Sequence, residues 1–188
     1  RVCSWCLNME DEDKGKFMIT MLGCVGGDIY KDKIINSLKD SFVQPLLEVK
    51  QDAKTSRCGV GIYKKERCLV PEINASKLLS NNFVTQNSDI IEKHDALLIE
   101  GYFLQENYDI CKQLCEQFNR ECKLVILTLS AVVMVQNHYE KFIEMANKAD
   151  MIIGNMEEVE IFAGGKGATF QQTFENVHKK FIPKHRIL

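Results

Sequence analysis

The sequence lacks three features that would each place it in a particular class of protein. Its longest apolar run, Leu124 to Val135, is interrupted by Thr128 and Ser130 and is too short to cross a bilayer. Neither charge sign dominates, because 24 Lys and Arg are interspersed with 26 Asp and Glu, for a net charge of −2. Internal repeats and low-complexity linkers are also missing. These absences argue against a membrane span, a basic stripe for nucleic acid and a repeat protein.

The composition favours a folded domain. With 188 residues, of which 45% are hydrophobic, the chain can bury a sizeable core, and we expect one domain. Its 8 cysteines lie in apolar segments with no leader before them, which predicts reduced thiols and a cytoplasmic location, with the nucleus left open. Cys3-x-x-Cys6 has the spacing of half a zinc site, but no second pair completes it. Cys111 and Cys115 fit the buried face of a helix better than a metal site.

Both ends of the sequence predict that the chain is incomplete. It begins with Arg1 rather than Met, and residues 1–7 are typical of the middle of a helix. Residues 181–188 stop where a new strand would begin. We therefore expect one domain over 1–188 that is truncated at both ends.

The first half of the sequence predicts a strand, a turn and a helix, and then a small sheet. An apolar run from Phe17 to Val25 predicts the strand, and Asp28 is a good cap for a helix from about Tyr30. Residues 42–72 consist of short segments with period-2 alternation, which predicts a separate small β-sheet. Asn74 and Ser88 are expected to cap two further short helices.

The second half alternates strands with helices. This order predicts a parallel sheet joined by helical crossovers. The predicted elements are strands at 96–99, 124–129 and 151–153, and helices at 108–119, 139–148, from Met156 onward and 170–180, the last with a capping box of Thr169 and Gln172.

Asn155 and Glu158 stand where the strand at 151–153 ends and a helix begins. Ligands of open α/β sheets bind beyond the carboxyl ends of the strands, and a helix N-terminus there attracts anions. The pair therefore indicates phosphate chemistry. An Asn followed three residues later by Glu is equally typical of a helix cap without further function.

Six segments are informative only when they are considered together. They are Leu22-Gly23-Cys24-Val25-Gly26-Gly27-Asp28, Thr55-Ser56-Arg57-Cys58, Arg67-Cys68-Leu69, Glu100-Gly101-Tyr102-Phe103-Leu104, Leu127-Thr128-Leu129-Ser130-Ala131 and Gly154-Asn155-Met156-Glu157-Glu158. In order and spacing these segments resemble the ribokinase-like (PfkB) carbohydrate kinases, and within that family the branch that phosphorylates adenosine.

The resemblance implies a doubly wound, mainly parallel α/β sheet with helices on both faces and a small β-sheet lid, to which residues 42–72 would contribute. It implies transfer of the γ-phosphoryl group of ATP to the 5′-hydroxyl of adenosine, giving AMP for purine salvage. Such a transfer needs in-line positioning, Mg²⁺ and cationic groups. The implied partners are adenosine and ATP, with no nucleic acid or membrane, and a monomer is expected for the full-length protein.

Three of the implied site residues concern the phosphates. Asn155 and Glu158 match an Asn-x-x-Glu element that organises magnesium and phosphate, with Glu158 reaching the metal through water, since Mg²⁺ keeps several waters. Arg67 matches a lid arginine that reaches the phosphates. Judged without the family, Arg67 is a solvated residue of the turn at 64–67.

The nucleoside pocket is implied by four residues. Cys58 and Leu69 match lid positions that line it, and Phe103 matches an aromatic residue near the base; without the family all three are ordinary core residues. Val133 stands where relatives carry an aromatic residue, so it supplies apolar contact but cannot stack on a purine. The segment at 71–74 also departs from the family pattern.

The catalytic base is not among these residues. The family's base lies in a Gly-Ala-Gly-Asp segment, which this sequence lacks and which we expect beyond Leu188; the sugar-binding glycine pair and aspartate are expected before Arg1. The glycine-rich segment at 164–168 is neither that segment nor a P-loop. We expect these 188 residues alone to be inactive. Two alternatives stay open: a kinase of another sugar or nucleoside, and a non-catalytic truncated paralogue that acts as a binding module.

Overall fold

The computed structural model describes residues 17–64, 66–165 and 169–180. The chain divides into two compact units, Arg1–Ser88 and Asp89–Leu188. The Cys3-x-x-Cys6 motif, the helix expected at 1–7 and the strand expected near 181–188 lie outside the described residues. The expectation of a single domain over 1–188 stays a prediction.

The first unit is built on a parallel pair of strands joined by a helix. Strand β1 (Ile19–Gly26) pairs in parallel with β2 (Val43–Lys50), and helix α1 (Ile29–Lys39) connects them. The predicted cap of α1 is confirmed, since the Tyr30 amide donates to Asp28 Oδ1 at 3.1 Å. Leu38 of α1 is buried, as are Val43 and Leu46 of β2.

An antiparallel hairpin follows, and it corrects one expectation. Within the part of the chain that the structure describes, strands β3 (Arg57–Tyr63) and β4 (Glu66–Glu72) pair only with each other, whereas Val43–Lys50 belongs to the parallel pair with β1. Residues 42–72 therefore do not form one small sheet. Period-2 alternation identifies a strand but not its partner: β2 pairs with β1, and its apolar residues Val43 and Leu46 are buried, whereas the residues of β3 and β4 are exposed.

Short helices complete the first unit. They are a 3-10 helix (Ala75–Leu78), α2 (Asn81–Gln86) and α3 (Ser88–Ile91), which runs into the second unit. The expected cap by Asn74 is wrong, because its backbone is not extended and its side chain makes no capping hydrogen bond. Ser88 lies inside α3 rather than before it. Ser80 caps α2 instead, accepting the Phe83 amide at 3.2 Å.

In the second unit, strands and helices alternate as predicted. Its described strands pair in parallel in the order β5–β6–β7. The element bounds are β5 Ala96–Ile99, α4 Gly101–Glu106, α5 Tyr108–Arg120, β6 Leu124–Thr128, α6 Val132–Asn137, α7 Tyr139–Ala146, β7 Met151–Ile153, α8 Met156–Phe162 and α9 Phe170–Lys180. The short helices α4 and α6, which begin soon after the ends of β5 and β6, were not predicted.

Part of the core of the second unit lies between its sheet and helix α5, and further fully buried residues come from the other helices: Leu104, Val135, Phe142, Met145 and Phe162. Residues at helical spacing on α5 are buried: Ile110, Cys111, Leu114, Cys115 and Phe118. The two cysteines are therefore core residues, and burial raises the pKa of each thiol to about 12. Such thiols stay protonated and unreactive at neutral pH. The described cysteines include no disulfide, and no described helix has the length and apolar character to cross a membrane.

Candidate functional site

The strands β5, β6 and β7 run in parallel, so their carboxyl ends meet at one edge of the sheet. Small or polar residues lie near each of these ends: Glu100 and Gly101 after β5, Ser130 one residue beyond the buried Leu129 that follows β6, and Gly154 and Asn155 after β7. Ligands of open α/β sheets bind at this edge. It is the candidate site of the second unit.

Asn155 and Glu158 form a complete capping box at the start of α8. The Asn155 side chain accepts the Glu158 amide at 2.9 Å, and Glu158 Oε2 accepts the Asn155 amide at 3.1 Å. In addition, Asn155 Nδ2 donates to Glu158 Oε1 at 2.8 Å. The capping interpretation of this pair is confirmed. Asn155 is exposed, whereas Glu158 is buried, with 7% of its surface accessible.

This hydrogen bonding decides how Glu158 could serve a metal ion. Each carboxylate oxygen accepts one hydrogen bond from Asn155, which leaves further lone pairs on both oxygens. Mg²⁺ usually keeps several waters in protein sites. A buried carboxylate held in this way fits contact with metal-bound water better than inclusion in a cage of protein ligands. Among the described residues, no group of three or more His, Cys, Asp or Glu side chains is close enough to hold a metal ion.

Gly154 connects this cap to the neighbouring strand. A Cβ atom at Gly154 would lie 2.8 Å from Leu129 Cδ1 and 3.2 Å from Glu158 Oε2. Leu129 is fully buried, and its amide donates to the Ile153 carbonyl at 2.8 Å. The glycine therefore allows the start of α8 to approach the end of β6 closely.

A second polar cluster joins the ends of β5 and β6. The Gly101 amide donates to Ser130 Oγ at 2.8 Å, and Ser130 Oγ lies 3.0 Å from Thr128 Oγ1. A Cβ atom at Gly101 would lie within 2.9 Å of Ser130 Oγ and of the Thr128 carbonyl oxygen. Only glycine permits the two strand ends to come this close.

Ser130 itself has an unusual backbone. Its φ is +66°, and the Ala131 amide donates to the Leu129 carbonyl at 2.8 Å across it. An i to i+2 hydrogen bond at positive φ is the rare, strained form of γ-turn. Strain of this kind persists where the surroundings over-determine the conformation, and it clusters at functional sites.

The two residues expected near a nucleoside base, Phe103 and Val133, lie in the first turns of the short helices α4 and α6 at this edge. Phe103 lies in the first turn of α4, where its amide donates to Glu100 Oε2 at 3.2 Å, and it is half-buried. Val133 lies in the first turn of α6 and is 48% exposed. Helices α4 and α6 are in contact. The structure therefore brings Phe103, Val133, Asn155 and Glu158 to the same edge of one sheet.

The remaining expected site residues lie together on the hairpin of the first unit. Its register opposes Cys58 to Pro71, Val60 to Leu69 and Ile62 to Arg67. Opposite residues of an antiparallel pair point to the same face, and alternate residues along each strand share that face. One face of the hairpin thus presents Cys58, Leu69 and Arg67, and all three are exposed. Their interpretation as ordinary core residues does not hold for Cys58 or Leu69.

Comparison with known proteins identifies the class. Residues 15–188 match the family model described as "pfkB family carbohydrate kinase". The chain belongs to this family. An adenosine kinase of Saccharomyces cerevisiae is 23% identical over 148 residues, which cover 79% of this chain and 44% of that protein.

Solved structures show the same fold. The apo adenosine kinase of Trypanosoma brucei brucei superposes with a TM-score of 0.84 at 22% identity, covering 98% of this chain and 58% of that one. The Schistosoma mansoni adenosine kinase in complex with 2-fluoroadenosine gives 0.78 at 21% identity, covering 86% and 48%. The predicted ribokinase-like fold with a parallel sheet is confirmed. The chain spans about half the length of these relatives.

Sequence reasoning missed the roles of Gly101, Thr128 and Ser130 in the site. All three stood in segments that carried the family resemblance, but none had a function assigned. One signal was available: Thr128 and Ser130 interrupt the longest apolar run of the chain at a strand end, where polar side chains are expected to face ligand rather than core.

Proposed function

We propose that the full-length protein is a nucleoside kinase that transfers the γ-phosphoryl group of ATP to the 5′-hydroxyl of adenosine. Membership of the pfkB carbohydrate kinase family supports phosphoryl transfer to a sugar hydroxyl. The adenosine kinases among its relatives support adenosine as the acceptor. Because the chain spans about half of those relatives, the activity is proposed for the longer protein and not for these residues alone.

The observation that carries the proposal is the Asn155–Glu158 pair at the carboxyl end of β7. The pair combines a buried, hydrogen-bonded carboxylate with an exposed amide at a helix start, beside the ends of two further parallel strands. We assign to it the organisation of ATP phosphates and Mg²⁺. Bound Mg²⁺ neutralises the phosphate oxygens, and Glu158 would hold its waters while Asn155 keeps the carboxylate oriented.

The hairpin is assigned the contacts of a lid. Arg67 would supply a permanent positive charge to the phosphates, which suits a guanidinium because its planar fork matches phosphate oxygens. Cys58 and Leu69, which share its face, would contact the nucleoside. Exposure of this apolar face in the present chain is what a surface that closes over a ligand would show.

The aliphatic side chain of Val133 leaves the choice of substrate to be tested. An aliphatic side chain buries part of a base but gives no stacking energy, which for aromatic pairs amounts to roughly 1 kcal/mol beyond area burial. A kinase of another nucleoside or sugar in the same family is therefore the second candidate. Phe103, half-buried in the first turn of α4, is the aromatic residue available for contact with a base.

The catalytic base is assigned to a part of the longer protein that these 188 residues do not contain. The sequence has no Gly-Ala-Gly-Asp segment, and none of the described residues at the sheet edge is proposed as the base. The residues described here would position phosphate, metal and nucleoside. We therefore expect no ATP turnover by the 188-residue chain.

The test is ADP release by the full-length protein with Mg²⁺ and ATP, comparing adenosine with inosine, ribose and fructose. Adenosine-dependent ADP release, with AMP as the product, supports the proposal. Preference for ribose or fructose would replace adenosine with a sugar as the substrate. Absence of turnover with all four acceptors would favour the non-catalytic binding module.

A further inference from the structure

The turn at Ser130 places a strained backbone at the candidate site. Positive φ occurs at four described non-glycine residues, Phe42, Lys64, Cys122 and Ser130. Among these, Ser130 lies at the carboxyl edge of the sheet, directly before helix α6. A non-glycine residue rarely adopts positive φ, and the conformation persists where the surrounding structure imposes it.

The Ser130 hydroxyl accounts for the position of its neighbour across the sheet. It accepts the amide of Gly101, the first residue of α4, at 2.8 Å, while Thr128 Oγ1 lies 3.4 Å from the same amide. The turn at Ser130 also fixes where α6 begins. One residue therefore links the starts of both α4, which carries Phe103, and α6, which carries Val133.

We infer that Ser130 is a positioning residue for nucleoside binding, which holds α4 and α6 at the separation that lets Phe103 and Val133 contact the base. This inference rests on the proposed function. Ser130 acts through the Gly101 amide and the strained turn and does not contact the transferred phosphoryl group. Because the contacts it supports bind the substrate equally before and during transfer, their loss raises KM and leaves kcat nearly unchanged.

The variants Ser130→Ala and Ser130→Gly separate the hydroxyl from the strain. Both remove the nearer acceptor of the Gly101 amide and leave only the longer hydrogen bond to Thr128 Oγ1, but only glycine relieves the positive φ. In the full-length protein we expect both to raise KM for adenosine about fivefold, the equivalent of one neutral hydrogen bond, with kcat unchanged within about twofold. Hydrogen exchange at the Gly101 amide should accelerate in both.

Cys122→Gly is the matched control. Cys122 also has positive φ, at +56°, but it lies before the amino end of β6, at the opposite edge of the sheet. Relief of strain there should leave KM unchanged. Thermal midpoints of all variants show whether each is folded, and if Ser130→Ala does not fold, Ser130→Gly decides.

The outcomes separate the inference from the proposed function. An active wild type whose Ser130 variants keep the wild-type KM overturns the inference alone. An equal rise of KM in Cys122→Gly also overturns it, since the effect would then be general. A wild type without nucleoside-dependent activity overturns the proposed function, and the inference with it.

Discussion

The carboxylate of Asp28 holds Thr55, which lies 27 positions away. The Thr55 amide donates to Asp28 Oδ2 at 2.9 Å, and the Thr55 hydroxyl donates to Oδ1 at 2.7 Å. Thr55 Oγ1 in turn accepts the Gly26 amide at 3.1 Å, and Thr55 is buried. The residue that caps α1 thus also fixes the chain just before the hairpin begins at Arg57.

Replacement of Asp28 by asparagine should destabilise the first unit. Asparagine can still cap α1. Its NH₂ group, however, would stand where one carboxylate oxygen of Asp28 now accepts a hydrogen bond from Thr55, so two donors would face each other. The hydrogen bonds from the Thr55 amide and then its hydroxyl hold the pKa of Asp28 below its usual range. A lowered pKa in the folded state adds stability that is present above the ordinary value of about 4 and is lost as pH falls through the folded value.

The measurement is the difference in thermal midpoint between wild type and Asp28→Asn from about pH 7 down to about pH 3. The difference should be largest near neutral pH and shrink below about pH 4. Asp32→Asn, in the exposed first turn of the same helix, is the control and should change little. A pH-independent difference would show that the charge of Asp28 does not matter.

Gly26 should tolerate no side chain. A Cβ atom there would lie 2.3 Å from the Ala53 carbonyl oxygen and 2.5 Å from the Thr55 nitrogen, both of which are backbone atoms. Gly26→Ala should therefore cost about 3 kcal/mol of unfolding free energy, measured by urea denaturation. Gly59→Ala is the control, since its Cβ would meet its nearest neighbour at 3.8 Å. Equal stability of the two variants would contradict the packing described for Gly26.

Tyr108 is half-buried and should behave as a hydrogen-bond donor between α5 and α7. Its hydroxyl donates to the Glu144 carboxylate, which also pairs with Lys112 at 2.7 Å. Burial first, and then the hydrogen bond to Glu144, raises the pKa of Tyr108 to about 12. A pKa that is raised in the folded state contributes stability. This stability is fully present below the ordinary pKa of about 10, and it is lost as pH rises through about 12.

The Tyr108→Phe variant should lose about 1 kcal/mol of stability at neutral pH. Ultraviolet titration of the phenol groups should show one tyrosine fewer in the latest-ionising step than in the wild type. Tyr102→Phe removes a hydroxyl at an exposed position, and as the control it should change the free energy of unfolding little. If Tyr108→Phe removed an early-ionising tyrosine instead, the hydrogen bond from Tyr108 to Glu144 would be refuted.

Arg67 should affect catalysis and not folding, because it is exposed on the hairpin. In the full-length protein, Arg67→Gln should lower kcat/KM about 100-fold, and Arg67→Lys should recover only part of the loss, since lysine lacks the planar fork. Lys64→Gln, in the same hairpin, removes an equal charge and should change kcat/KM little. Equal effects of the two glutamine variants would indicate general electrostatic attraction and not a specific contact.

The sheet of the second unit could be predicted because its signals are local. Ala96–Ile99 and Met151–Ile153 are short apolar runs with helix caps after them, and the structure places both strands at those residues. The capping box of Asn155 and Glu158 could be predicted from the spacing of three residues between them. In each case the residues that determine the element are neighbours in the chain.

Contacts between distant residues could not be predicted. The choice of β1 as the partner of Val43–Lys50 depends on burial that alternation does not reveal. Asp28 accepts hydrogen bonds from Thr55, and Ser130 accepts one from the Gly101 amide, so both depend on donors that lie 27 or 29 positions away in the chain. A serine at positive φ has no local signature, since the conformation is imposed by the surrounding structure.

The most direct test of the proposed chemistry separates capping from catalysis at Asn155 and Glu158. Asn155→Ser keeps a good N-cap but removes the amide that donates to Glu158 Oε1, and Glu158→Gln keeps a capping box without the charge. We expect thermal midpoints near that of the wild type, with kcat of the full-length protein lowered about 100-fold in each variant. Wild-type kcat in both stable variants would mean that the pair only caps α8, and would contradict its assignment to magnesium and phosphate.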